Sequence, residues 1–163
     1  MNDEMIVRLA QNGGVIMINY GSAFLTEEAN QYNPTRNTVW ENIQSDNSDQ
    51  EIIDIFGSNY QGTREEFNQV YKENYPYPFA TLEQTLDHFD HVVELTGSVN
   101  YVGIGSDYDG VGDSLPIGLK DVSSYPNLIE GLINRGYSAE DIKKILGENL
   151  LRVWTAIENA ASN

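Results

Sequence analysis

Cysteine is absent from this 163-residue chain, and its absence removes disulfide scaffolds, thiolate zinc sites and cysteine nucleophiles together. Basic side chains are scarce. Nine Lys and Arg face 25 Asp and Glu, which sets a formal net charge of −16 and a pI near 4.2. Nucleic acid is disfavoured as a partner, because every phosphate contact must first overcome net repulsion. With two histidines in total, a metal site needing three His ligands cannot be built from this chain. No apolar run approaches the roughly 20 residues a membrane helix needs. Met1-Asn2-Asp3-Glu4-Met5 supplies no cationic n-region, and no apolar h-region of signal-peptide length comes after it. The expectation is a chain without a membrane segment, its compartment left open.

What is present is a foldable composition. Residues of the apolar set make up 40 %, with 10 Tyr and 5 Phe, enough for a buried core and too many for a disordered acidic tail. Asn2 with Asp3 and Glu4 reads as a helix N-terminus ahead of Met5, Ile6, Leu9 and Ala10, and Asn12-Gly13-Gly14 ends that helix. Val15 to Tyr20 is an unbroken apolar run that does not alternate, the mark of a strand covered on both faces and hence parallel. From Thr26 to about Ser58 lies a polar, partly helical excursion, with helical signals over Thr38 to Ile43 and Gln50 to Phe56.

A capping box at Thr63 to Glu66 opens a helix that the Tyr75-Pro76-Tyr77-Pro78 segment closes, since proline cannot continue the hydrogen-bond ladder. Thr81 with Gln84 repeats the signature and opens the best helix of the chain, with Leu82, Leu86, Phe89, Val93 and Thr96 on one stripe and Gly97 as its stop. A second buried-type strand, Tyr101 to Gly105, runs into Ser106-Asp107-Tyr108-Asp109-Gly110. Three helices close the chain: Pro126 to Arg135, Ser138 to Leu146, and Glu148 to Ala161. This is the grammar of a parallel sheet wrapped by helices. Two parallel strands cannot close a barrel, and an open pair leaves apolar edges unprotected, so the chain reads as a piece of something larger.

Asp107 and Asp109 come directly after the carboxyl end of a buried strand, where parallel α/β proteins hold their ligands. A carboxylate there serves as a proton acceptor or metal ligand, or else solvates a tight Gly-containing turn. An EF-hand is excluded because Val111 and Gly118 occupy positions that need ligands. His88 and His91 are spaced to share a metal or to pack against a neighbouring helix. No G-x-S-x-G occurs, and Gly103-Ile104-Gly105 lacks the third glycine of a dinucleotide fingerprint. Tyr71, Tyr75 and Tyr77 form either a binding platform or the rim of a core.

Five stretches in order, Gly14 to Tyr20, His88 to Glu94, Val102 to Gly110, Leu119 to Leu128 and Gly147 to Val153, resemble the C-terminal part of the membrane dipeptidase (renal dipeptidase, peptidase M19) family. The resemblance covers nearly the whole chain, residues 1–163 as one incomplete domain, and is weakest from Thr26 to Ala80. It implies the C-terminal portion of an amidohydrolase-like (β/α)8 barrel, about two strands with surrounding helices, in an enzyme whose two zinc ions activate a hydroxide against a dipeptide. Asp107 then matches the carboxylate ending the last strand, active in proton transfer. Asn19, Tyr20 and Phe24 match the substrate pocket, with Phe24 where the family often carries Tyr, and His88 and His91 match a helix motif outside the zinc ligands. The zinc ligands and a substrate-gripping arginine are expected on residues preceding Met1, so the metal set within this chain is expected to be none. The expected partners are a dipeptide, a missing N-terminal half of the barrel and a second copy as homodimer. The rival expectation is a non-catalytic fragment that serves as a binding or oligomerisation module.

Overall fold

A computed structural model describes residues 1–162. Helix α1 (Asp3–Gln11) starts where Asn2 accepts the Met5 amide on its side chain, and it leads into strand β1 (Ile16–Asn19). After the short helix α2 (Ser22–Leu25), the excursion is built from α3 (Glu27–Gln44), α4 (Gln50–Phe56) and α5 (Arg64–Asn74). Helix α6 (Leu82–Thr96) precedes strand β2 (Val102–Ser106), and α7 (Tyr125–Asn134), α8 (Ala139–Lys143) and α9 (Asn149–Ala161) close the chain. A π-helical stretch, Lys144–Glu148, joins the last two.

The expected capping boxes at Thr63/Glu66 and Thr81/Gln84 both form, and Gly97 ends α6 in the left-handed conformation at φ 70°. Helix α3 differs from expectation. It runs unbroken through Pro34, because Thr26 caps its start and its inner face packs on the excursion's core, with Tyr32 buried and Trp40 partly buried; the sequence shows a helical signal only over Thr38 to Ile43.

β1 and β2 pair in parallel, Ile16 opposite Val102 and Ile18 opposite Ile104, with a bulge that sets Asn19 against Ser106 and leaves Gly105 between. Among the described residues no third strand joins either edge. Coverage of the strands is accordingly partial: Ile18 and Val102 are buried, whereas Ile16, Met17 and Ile104 are half-buried. No helix among the described residues is long and apolar enough to cross a membrane.

The main core packs Leu86, Phe89 and Val92 of α6 against Val102, Leu128, Leu132 and Ile145. Val92 is the buried residue at the position where the stripe predicted Val93, which is half-buried. A second, smaller core within the excursion is formed by Tyr32, Phe67 and Tyr71, with Tyr75 and Tyr77 packed on it. The tyrosine run is therefore the rim of a core.

The amino ends of the strands are fastened from the C-terminal region. Asn149, buried, donates from Nδ2 to the carbonyls of Val99 (2.7 Å) and Val102 (2.9 Å). Arg152 reaches the carbonyls of Gly13 (2.8 Å), Gly14 (3.4 Å) and Asn100 (2.9 Å), so one guanidinium joins the segments that enter both strands. The Gly147 to Val153 stretch thus serves architecture. Asn149→Ala deletes the hydrogen bonds to Val99 and Val102, the one to Val102 buried, while the Val99 carbonyl keeps the Val102 amide as a donor, and it is expected to lower stability by about 1–3 kcal/mol, read from the urea midpoint.

Candidate active site at the carboxyl end of the strand pair

Asn19 and Tyr20 are consecutive on a strand, so their side chains take opposite faces. Asn19 is exposed and Tyr20 is fully buried. The Tyr20 amide continues the ladder to the Ser106 carbonyl at 2.9 Å, which holds the β1 exit beside the start of the Asp107 turn. Phe24, on α2, is 61 % exposed. Asn19 and Phe24 both line a cleft of about 510 Å³ along the open side of β1, together with Ile16, Leu25, His88 and His91.

The turn after β2 has an uncommon backbone. Ser106 and Asp107 both have positive φ, 51° and 63°, a left-handed conformation that side chains other than glycine rarely take and that concentrates at functional sites. Two hydrogen bonds hold it: the Asp107 amide donates to the Gly105 carbonyl at 2.8 Å, and the Gly110 amide donates to the Asp107 carbonyl at 3.2 Å. The half-buried Asp107 carboxylate lies over Gly110, where an added Cβ would sit 2.3 Å from its Oδ1. At Gly105 a Cβ would meet Asn19 Oδ1 at 2.2 Å and the Met17 carbonyl at 3.0 Å. Asp109 is exposed.

Beneath the turn, Tyr108 packs edge-on against Tyr20, with centroids 5.7 Å apart, and against Tyr125 at 6.0 Å. The buried hydroxyls of Tyr20 and Tyr108 have no hydrogen-bond partner among the described residues. Burial, reinforced by the neighbouring phenols, pushes the Tyr20 pKa upward. Burial likewise moves Tyr108 from its ordinary 10 to about 12, with Tyr125 and Asp121 adding to the rise. The sequence carries no signal for these aromatic supports, although Gly105 and Gly110, flanking the two acids, do signal a tight turn.

His88 and His91 do not converge on a ligand. His88 Nε2 lies 3.0 Å from the Leu25 carbonyl and His91 Nε2 lies 3.0 Å from Asp3 Oδ1, so both tie α6 to its neighbours. Among the described residues no three His, Cys, Asp or Glu side chains come together as a group able to hold a metal.

The sequence profile of membrane dipeptidase (peptidase family M19) matches residues 1–163. The chain belongs to that family. An uncharacterized dipeptidase of Schizosaccharomyces pombe is 42 % identical over 85 residues, which are 52 % of this chain and 20 % of the yeast protein. The crystal structure of the probable dipeptidase PvdM of Pseudomonas aeruginosa superposes with a TM-score of 0.64 at 27 % identity, covering 94 % of this chain and 40 % of PvdM. A second structure, the dipeptidase AC, a metallopeptidase of family M19, shares the fold with a TM-score of 0.56 at 19 % identity, over 92 % of this chain and 29 % of its own. This M19 chain therefore spans well under half the length of the relatives it matches.

The site's packing makes two predictions. Gly105→Ala must push Asn19 and the β1 backbone aside and is expected to cost about 1–3 kcal/mol, the range for overpacking, read by chemical denaturation. The tyrosine cluster makes stability depend on alkali. Because the folded-state pKa values are raised, the contribution of the neutral phenols is whole below about pH 10, the ordinary tyrosine value, and is lost as pH climbs toward 12. Tyrosinate absorbance measured beside circular dichroism should show part of the tyrosinate signal appearing only as the fold is lost.

Proposed function

We propose that this chain is the C-terminal portion, residues 1–163, of a single (β/α)8-barrel dipeptidase domain, and that β1 and β2 are its last two strands. The observation that carries this reading is Asp107, set at the carboxyl end of a parallel strand on two consecutive left-handed residues, beside a strand whose other edge is open. The open edge is flanked by exposed apolar side chains, Met1 and Phe24, and Leu151, Trp154 and Ile157 of α9 are exposed as well. Unpaired strand edges and apolar faces of this kind are what further strands and helices of a barrel cover.

Dipeptides are the substrate in this reading. Asp107 handles the proton: the carboxylate takes one from the attacking oxygen and passes one to the amine that leaves as the peptide bond breaks. Asn19 offers both a donor and an acceptor to the substrate backbone, and Phe24 supplies an apolar wall. Tyr20 acts from below, by fixing Tyr108 and with it the turn.

The family's zinc ions find no fitting ligand set among the described residues, since His88 and His91 are engaged elsewhere and no other group of ligands converges. We therefore assign zinc binding to the N-terminal half of the barrel and give this chain no step at the metal. That half is its first partner, and a second copy of the assembled enzyme, in a homodimer, is the next. The chain by itself is inactive.

The test is complementation. The purified chain, alone and mixed with an N-terminal half from the family, is assayed for bound zinc by atomic emission and for hydrolysis of simple dipeptides. Both should be absent from the lone chain and appear on mixing; zinc with turnover in the lone chain would refute the reading. In the complemented enzyme, Asp107→Asn should lower turnover about 10²- to 10⁴-fold while zinc stays bound, and Asp109→Asn, at an exposed position, should leave turnover near wild type.

A further inference from the structure

A second concavity, of about 450 Å³, separates the excursion from the loop beyond the Asp107 turn, and Tyr32, Arg36, Lys72, Tyr77, Phe79 and Ser114 are among its walls. Two of the nine basic residues in a chain of net charge −16 open onto this one cleft. Neither forms an ion pair among the described residues. Arg135, by contrast, meets Glu83, Asp87 and Asp90, Lys143 meets Glu140, and Arg152 is taken up by carbonyls. Arg8, Arg64 and Lys144 also make no ion pair among the described residues; what sets Arg36 and Lys72 apart is that they share one cleft. Arg36 lies 5.9 Å over the Tyr32 ring, and its Nε is shut away from solvent without an acceptor among the described residues. A buried donor left unmatched costs free energy, so a carboxylate entering beside it would meet a group already desolvated.

Among the charged side chains lining the cleft, two cations stand against one acid. Asp113, the carboxylate among the lining residues, lies 3.8 Å from Lys120, whose ammonium in turn sits 3.8 Å from the Phe79 centroid. Tyr32 donates its hydroxyl to the Tyr75 carbonyl at 2.9 Å, which leaves its ring as a fixed wall. Two unmatched cations facing aromatic walls suit a ligand with a carboxylate at one end and a short apolar stem.

We propose that this cleft is a subsite for a carboxylate carried by a small peptide, with Arg36 and Lys72 as its gripping cations and Tyr32, Tyr77 and Phe79 holding the stem. The guanidinium fork pairs with both oxygens of a carboxylate, and the ammonium adds a point charge. It deepens the dipeptidase reading by naming a substrate class, dipeptides with an acidic residue, and rests on that reading for the peptide part alone. An acidic side chain and a C-terminal carboxylate share the same chemistry.

Binding to the full chain is measured by titration in nuclear magnetic resonance spectra with three probes: Ala-Glu, Ala-Gln, and Ala-Glu with its C-terminus amidated. Ala-Glu should give saturable shifts at the Arg36 Nε–H and at the amides of Asn33 and Ser114. Ala-Gln should bind about tenfold more weakly, the loss of one charge-assisted contact. A weaker amidated probe beside an unchanged Ala-Gln would support the site with the C-terminal carboxylate as its source. R36Q and K72Q should each weaken Ala-Glu about tenfold, with R36K falling between wild type and R36Q because it keeps the charge and loses the fork; Lys72 is exposed, so K72Q tests the claim even where R36Q disturbs the Tyr32 packing. Absence of saturable shifts, or unchanged affinity in both charge-removing variants, would overturn the subsite. Because the readout is binding without turnover, affinity lost in these variants alongside a failed complementation assay would sink the dipeptidase reading and leave the subsite standing.

Discussion

Where β1 gives way to the loop beyond it, the Asn19 side chain lies over the Cα of Gly105, so closely that a methyl group there would sit 2.2 Å from its amide oxygen. The bulge in the ladder at this point moves Asn19 into register with Ser106. A bulge re-aims the side chains next to it. Immediately beyond this one come the left-handed pair Ser106 and Asp107, and then Gly110 under the carboxylate. The position of the acid thus depends on two small residues and on the ring of Tyr108, caught between Tyr20 and Tyr125. Strain in the backbone persists only where the surroundings over-determine it, and these contacts do so.

The opposite ends of the same strands are governed by polar rather than steric means. Asn149 and Arg152 of α9 donate to carbonyls at the entrances to the two strands. The division between the two ends matches a general rule of parallel barrel architectures, in which the amino ends of the strands carry stability and the carboxyl ends are the place for chemistry. The excursion has its own aromatic core, which gives it a rigid wall to set against the loop beyond the Asp107 turn.

Much of this was legible along the chain. Capping boxes at Thr63 and Thr81 and the glycine stop at Gly97 rest on local chemistry, where the deciding partner is a few residues away, and each forms as read; the two non-alternating apolar runs form parallel strands as read but are covered only in part. Helix α3 was only partly legible because Pro34 weakens the local signal while burial of Tyr32 and its neighbours outweighs it. For His88 and His91 the spacing admitted two meanings, and the packing of α6 against α1 and α2 selected the structural one.

By itself the sequence determined the class of the protein: a cysteine-free, strongly acidic α/β chain of family M19 with an aspartate directly after its last buried strand. Only tertiary structure decided which acid is held and which is free, that Tyr20 faces inward while Asn19 faces out, and that Arg36 and Lys72 share one cleft. The physical reason is distance along the chain. Caps and periodicities act over three or four residues, whereas the contacts that aim Asp107 and gather the two cations join segments tens of residues apart, and only packing brings those together.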